Sequence, residues 1–183
     1  MSTLKWTLLA LLFAAVAVAG TLYLSLGLGL QACPLCFYQR TFAMAVLGVL
    51  LVGLLAGVRR GPLLSVLALP LATGGLAVAG FHVYLEATGK LECPKGIADL
   101  GSAPQQSLAA LGLLFAALML DVLSGCCQPA PADEGSPGPV SIIAALALGG
   151  LFAYGCIKST PPAPKPDYSK PLLGCRPPEP PKD

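Results

Sequence analysis

Five stretches of this chain carry no charged side chain: residues 6–39, 41–58, 61–85, 100–120 and 135–157. Each is long enough to hold a helix that crosses a bilayer, which takes about 20 mostly apolar residues. In hydrocarbon the backbone must satisfy its own N–H and C=O groups, so runs of this kind are read as helices. The spans are placed at residues 8–28, 41–58, 63–84, 108–121 with the turn before it, and 140–157. Pro104 suits the first turn of the fourth span. A soluble fold built from the same runs would need a charged exterior. Here 11% of the 183 residues are charged and 55% are hydrophobic, whereas about 25% charged is usual for a soluble domain. A net charge of +2 also leaves no basic surface for nucleic acid.

The expected architecture is therefore an all-α membrane protein, a four-helix transmembrane bundle with a fifth C-terminal transmembrane helix. Residues 1–123 form the four-helix unit and 124–139 a connection rich in proline and glycine. Residues 140–157 form the fifth span and 158–183 a proline-rich tail outside the membrane. Lys5, the apolar run after it and Ala17-Val18-Ala19 have the layout of a cleavable signal peptide. The run stays apolar well beyond that point, which favours a retained span. Orientation follows Lys and Arg placement. Lys5, Arg59 and Arg60 put the N-terminus and the second connection in the cytoplasm, so the first and third connections face outside. A fifth span then carries the tail, with Lys158, Lys165 and Lys170, to the outside against the same rule.

The seven cysteines divide by these connections. Cys33, Cys36 and Cys93 fall in the outer ones, where disulfides persist. Cys126 and Cys127 fall in the cytoplasmic one and are expected to be reduced or acylated. Cys156 ends the fifth span, and Cys175 lies in the tail. Cys33-Pro34-Leu35-Cys36 sits where a helix begins, with Pro34 suited to the first helical position. That puts Cys36 in the first turn, where the helix dipole favours an anion. Arg40, four residues on, shares its face. Helix start and guanidinium together are expected to favour a thiolate. Structural zinc takes four N/S ligands, usually as two CxxC-like pairs. The sequence offers one pair, a remote Cys93 and a single histidine, His82, so zinc is not the adopted reading. Nor is a purely structural disulfide, because a two-residue gap at a helix start beside an arginine suits exchange better than stapling.

Cys33–Cys36 followed by Tyr38-Gln39-Arg40, between the first two of several short spans, resembles the disulfide bond formation protein B (DsbB) family. His82-Val83-Tyr84-Leu85 and Glu92-Cys93-Pro94 resemble it as well, and the likeness covers roughly residues 8–121. The resemblance implies an inner-membrane quinone reductase that regenerates a periplasmic thioredoxin-fold dithiol oxidase. Electrons would pass from that partner to a loop cysteine, then to the CxxC pair, then to ubiquinone or menaquinone. By position, Cys36 would be the thiolate facing the quinone, and Arg40 would sit beside the ring oxygens. His82 would line the same pocket, Cys33 would exchange with the loop cysteines, and Cys93 would meet the partner. Many members carry two cysteines in the loop between spans three and four, and this chain has only Cys93 there. Cys175 is the expected second member of that pair, since 18 residues of tail after Ile157 reach up to about 60 Å at roughly 3.3 Å each. Cys156, nearer the membrane, is the weaker choice.

Two readings from other classes compete. A small transporter or channel subunit with a structural disulfide would line a path with polar or ionisable groups deep in the spans. The first three spans offer mainly short hydroxyls such as Ser25, Ser65 and Thr73. A membrane anchor would present the Pro-rich tail as a binding segment.

Overall fold

A computed structural model describes residues 2–56, 61–126, 139–158, 168–169 and 171–179. Arg59, Arg60, Cys127, Lys165, Lys170 and most of the 124–139 connection lie outside the described residues.

The charge-free runs are helices, as their lack of any external hydrogen-bond partner in lipid requires. They are α1 (Ser2–Leu22), α2 (Pro34–Leu55), α3 (Gly61–Ala87), α4 (Ala103–Cys126) and α5 (Pro139–Lys158). Four are long and apolar enough to cross a membrane, and they make the chain a multi-pass membrane protein. The fifth has a shorter apolar part, Ile142–Lys158. The fourth helix is longer than the sequence reading placed it, running from Ala103 past Asp121 to Cys126.

α3 is the hub, packing against α2, α4 and α5, while α1 closes the bundle against α4 and α2. The interior is built from Val46 and Leu50 of α2, Leu69 of α3 and Leu114 and Leu118 of α4, all fully buried. α1 presents Ala10, Ala14 and Ala17 to this core. Spaced four and three residues apart, they lie on one face, and their small size lets neighbouring backbones come close. The large apolar side chains Leu8, Leu12, Val16, Leu51, Leu55, Leu67 and Leu113 point outward, the arrangement lipid tails favour over water. α5 lies close on α3 through Gly149. A Cβ there would stand 2.5 Å from the Pro70 carbonyl oxygen and from Thr73 Cβ.

Two irregular features shape the end of the bundle that holds Cys33. α1 widens into a π-turn, Tyr23–Gly27, with Leu28 N–H bonded to the Tyr23 carbonyl at 3.1 Å. Turns of this kind recur at functional sites. The tail comes back to the same end. Gln31 N–H donates to the Leu173 carbonyl at 2.8 Å, and Glu92 and Arg176 exchange backbone hydrogen bonds at 2.8 and 3.0 Å. Residues 171–179 therefore lie between the α1–α2 and α3–α4 connections, and the tail is at the cysteine end.

Candidate active site

Cys33 is the N-cap of α2 and Pro34 its first residue. The Cys33 backbone is extended (φ −67°, ψ 162°), so its sulfur turns back over the helix start and accepts the Cys36 N–H at 3.3 Å. Here the structure differs from the sequence expectation. The unpaired amide at the helix start serves Cys33 rather than Cys36, because a capping side chain reaches the N3 amide whereas a first-turn side chain points along the helix flank. The two sulfurs are 3.0 Å apart and share a hydrogen bond. That bond holds the Cys33 thiol down to about 4, against the upward push of burial and with further help from His82.

Cys93 and Cys175 are joined in a disulfide across 82 residues of sequence. The fold thus brings the tail cysteine to the lone cysteine of the α3–α4 connection. Cys156 packs against the apolar cluster that contains Leu35, Phe42, Val78 and Ala153 and is not part of this bond.

His82 is fully buried on α3 and stands among all four sulfurs. Its Nε2 lies 3.3 Å from Cys175, 3.5 Å from Cys93 and 3.8 Å from Cys33, and its Nδ1 lies 4.0 Å from Cys36. Gln39, 3% exposed, reaches His82 Nδ1 through its amide nitrogen at 3.2 Å. Ser107 of α4 donates its hydroxyl to the Gln39 amide oxygen at 2.6 Å. Sequence reading did not find the roles of Gln39 and Ser107. The available signals were that Gln39 follows Cys36 by three residues, and so shares its helix face, and that it stands in the Tyr38-Gln39-Arg40 string.

Arg40 is held from α1. It donates to the Thr21 carbonyl at 3.0 Å and to the Ser25 hydroxyl, both at the transition into the π-turn. Its Nε is buried with no hydrogen-bond partner among the described residues. Beside it opens a cleft lined by Thr21, Leu24, Ser25, Leu30, Cys36, Gln39, Arg40, Ser107 and Cys175 among others. An apolar-walled cleft with an arginine donor left over and a thiol on its wall suits a flat apolar ligand that bears carbonyl oxygens. Cys33 does not line the cleft, and Cys36 does.

The ligand atoms of Cys33, Cys36, His82 and Cys175 all lie within 4.8 Å of one another. Such a donor set is of the kind that binds a soft tetrahedral metal. The sequence did not reveal it, because its third sulfur arrives from the tail. With Cys175 bonded to Cys93, two thiols and the imidazole are left.

The profile of the family described as "Disulfide bond formation protein DsbB" matches residues 3–130. Among curated proteins, the chain is 39% identical over 90 residues to "Disulfide bond formation protein B 2" of Burkholderia lata, covering 49% of this chain and 53% of that protein. It is 42% identical over 87 residues to "Disulfide bond formation protein B 1" of Pseudomonas aeruginosa, covering 43% and 50%. It is 40% identical over 83 residues to "Disulfide bond formation protein B" of Methylococcus capsulatus, covering 43% and 49%. The matches thus span about half the length of these relatives. No solved structure matches. On the family match, which takes in four helices and three of the four clustered sulfurs, the chain belongs to the DsbB family of disulfide bond formation proteins.

Proposed function

We propose that this protein reoxidises a periplasmic thioredoxin-fold dithiol oxidase and passes the electrons to ubiquinone or menaquinone in a bacterial inner membrane. The observation that carries this reading is the convergence of two cysteine pairs on one buried imidazole, beside an apolar cleft with an unpartnered arginine nitrogen. The exchange chemistry runs through the cysteines in order. A thiolate of the partner attacks Cys93. The Cys93–Cys175 bond breaks, a bond between Cys93 and the partner forms, and Cys175 leaves with the electron pair. The partner's second thiol, deprotonated, then displaces Cys93 and departs as an oxidised protein. The Cys175 thiolate attacks Cys33 of an oxidised Cys33–Cys36 pair, and Cys36 leaves as thiolate. Cys93 closes back on Cys175 and releases Cys33. Two electrons have then moved from partner to the CxxC pair, and the partner's two protons are shared between that pair and solvent. The structure, with Cys33 and Cys36 unbonded and Cys93 bonded to Cys175, has the sulfur arrangement of that last state.

Exchange of this kind needs a thiolate and a good leaving sulfur. The capped, hydrogen-bonded Cys33 meets the second requirement when Cys93 displaces it. Cys36 and Arg40 would hold the quinone in the cleft. A quinone held there would supply the electron acceptor, and the buried Arg40 guanidinium is disposed to stabilise negative charge on its oxygens. His82 is the proton-bearing group nearest the sulfurs. The test is oxidation of a reduced thioredoxin-fold dithiol protein by the purified chain with and without added quinone. Quinone-dependent turnover that disappears in Cys36→Ser supports the reading. Turnover that Cys36→Ser leaves intact rejects it.

A further inference from the structure

His82 is the single histidine of the chain. A neutral imidazole has one N–H donor and one lone pair, so what it offers the four sulfurs depends on which nitrogen holds the proton. The surrounding side chains bear on this. In the structure the Ser107 hydroxyl donates to the Gln39 amide oxygen, and the amide nitrogen faces His82 Nδ1. An amide nitrogen can only donate, so Nδ1 accepts and the proton sits on Nε2. Nε2 is the nitrogen nearest Cys175, Cys93 and Cys33.

We propose that Ser107 and Gln39 are positioning residues that hold His82 as its Nε2–H tautomer, with the single donor aimed at sulfurs of both cysteine pairs. This deepens the relay described above and rests on it. When Cys93 is attacked and Cys175 departs with the electron pair, the Nε2–H donates a hydrogen bond to the departing thiolate. In the other tautomer a lone pair would face that anion and oppose its release. An amide does not readily change its proton count, so the Ser107–Gln39 chain orients the imidazole and does not conduct protons. Three helices supply the three members: α4 gives Ser107, α2 gives Gln39 and α3 gives His82. The orientation is therefore a product of bundle packing.

One histidine makes the tautomer directly readable. The full chain, purified in detergent with ¹⁵N-histidine, is examined by long-range ¹H–¹⁵N correlation in mildly alkaline buffer, where a free imidazole is neutral. A pyrrole-type shift at Nε2 and a pyridine-type shift at Nδ1 are expected. Ser107→Ala should give a mixture of tautomers, and Ser107→Thr, which keeps the hydroxyl, should restore the wild-type pattern. Gln39→Glu presents only acceptors and should reverse the assignment to Nδ1–H. Reduction of the Cys93–Cys175 bond by dithiothreitol should slow about tenfold in Ser107→Ala, the order expected for losing an oriented hydrogen bond to a charged group. A wild-type Nδ1–H tautomer, or a pattern unchanged in both Ser107→Ala and Gln39→Glu, would overturn the proposal. The spectrum needs neither quinone nor partner. The expected tautomer without quinone-linked turnover would therefore sink the functional reading alone, and normal turnover with the wrong tautomer would sink this inference alone.

Discussion

The bundle buries polar side chains at both ends, and the two ends are built differently. At the end away from Cys33 and Cys36, Asp121 of α4 accepts from Ser65 of α3 at 2.6 Å and from Thr7 of α1 at 2.9 Å. All three residues are fully buried, and none of them lines the cleft beside Arg40. At the cysteine end, the contacts from His82 to sulfur run from 3.3 to 4.0 Å, and the groups it touches can make and break bonds. Short hydrogen bonds onto one carboxylate tie three helices in a fixed register. Longer contacts around sulfurs beside a cleft leave room for bonds to be exchanged. Burial of polar groups alone therefore does not mark a functional site in this molecule. The proposed site is set apart by its adjacency to a cleft and to four cysteine sulfurs.

This contrast predicts substitutions that separate rate from stability. The largest effect is expected for Cys36→Ser, which removes the thiol on the cleft wall. Quinone-linked turnover should fall by on the order of 10³-fold or more, as when a covalent catalytic group is lost, while the thermal midpoint in detergent stays near wild type. Cys175→Ala should abolish oxidation of the protein partner yet spare quinone-linked oxidation of a small dithiol that reaches Cys33–Cys36 directly. Equal loss of both activities would mean that the two pairs do not act in series. Arg40→Lys keeps the charge but loses the planar fork. Its expected effect is a KM for the quinone raised roughly tenfold, the scale of one lost hydrogen bond to a charged group, read from initial rates.

At the other end, Asp121→Ala should lower stability by about 1–3 kcal/mol, the cost of stranding buried hydroxyl partners. It should leave turnover per folded molecule unchanged. A rate defect without a stability loss would break the distinction between the two ends.

The smallest predicted signal concerns acid. Cys33 is held down to about 4, while an unfolded thiol titrates near roughly 8.5. A depressed value favours the folded chain fully above the unfolded value, and this contribution is lost as pH falls through about 4. Ultraviolet thiolate absorbance should therefore persist into mild acid. In Cys36→Ala it should vanish at a higher pH, because the main hydrogen bond that holds Cys33 down is gone. An unchanged midpoint would mean that the partner thiol is not the cause.

Much of this organisation was legible in the chain. Runs of 18 or more uncharged apolar residues have one stable solution in lipid, so the helices were expected, but not their ends: α2 begins at Pro34 and takes in Arg40 rather than starting after it. The Cys33–Cys36 spacing before Arg40 pointed to exchange chemistry, and the tail was long enough for Cys175 to reach Cys93. What could not be read depended on side chains meeting across helices. Gln39, His82 and Ser107 are 43 and 25 positions apart in turn, and nothing local says that they touch. Thr7, Ser65 and Asp121 are likewise joined only by packing. The capping role of Cys33 turned on a single backbone angle, which composition does not reveal.

The most direct measurement is a single anaerobic turnover. The fully reduced chain is mixed with one equivalent of a short-chain ubiquinone or menaquinone, the quinol is quantified, and the new disulfides are mapped by peptide analysis. The account predicts one quinol for every two thiols lost, with the first bond formed between Cys33 and Cys36 and no quinol from Cys36→Ser. Quinone left unreduced, or quinol produced with Cys33 and Cys36 still free, would contradict it.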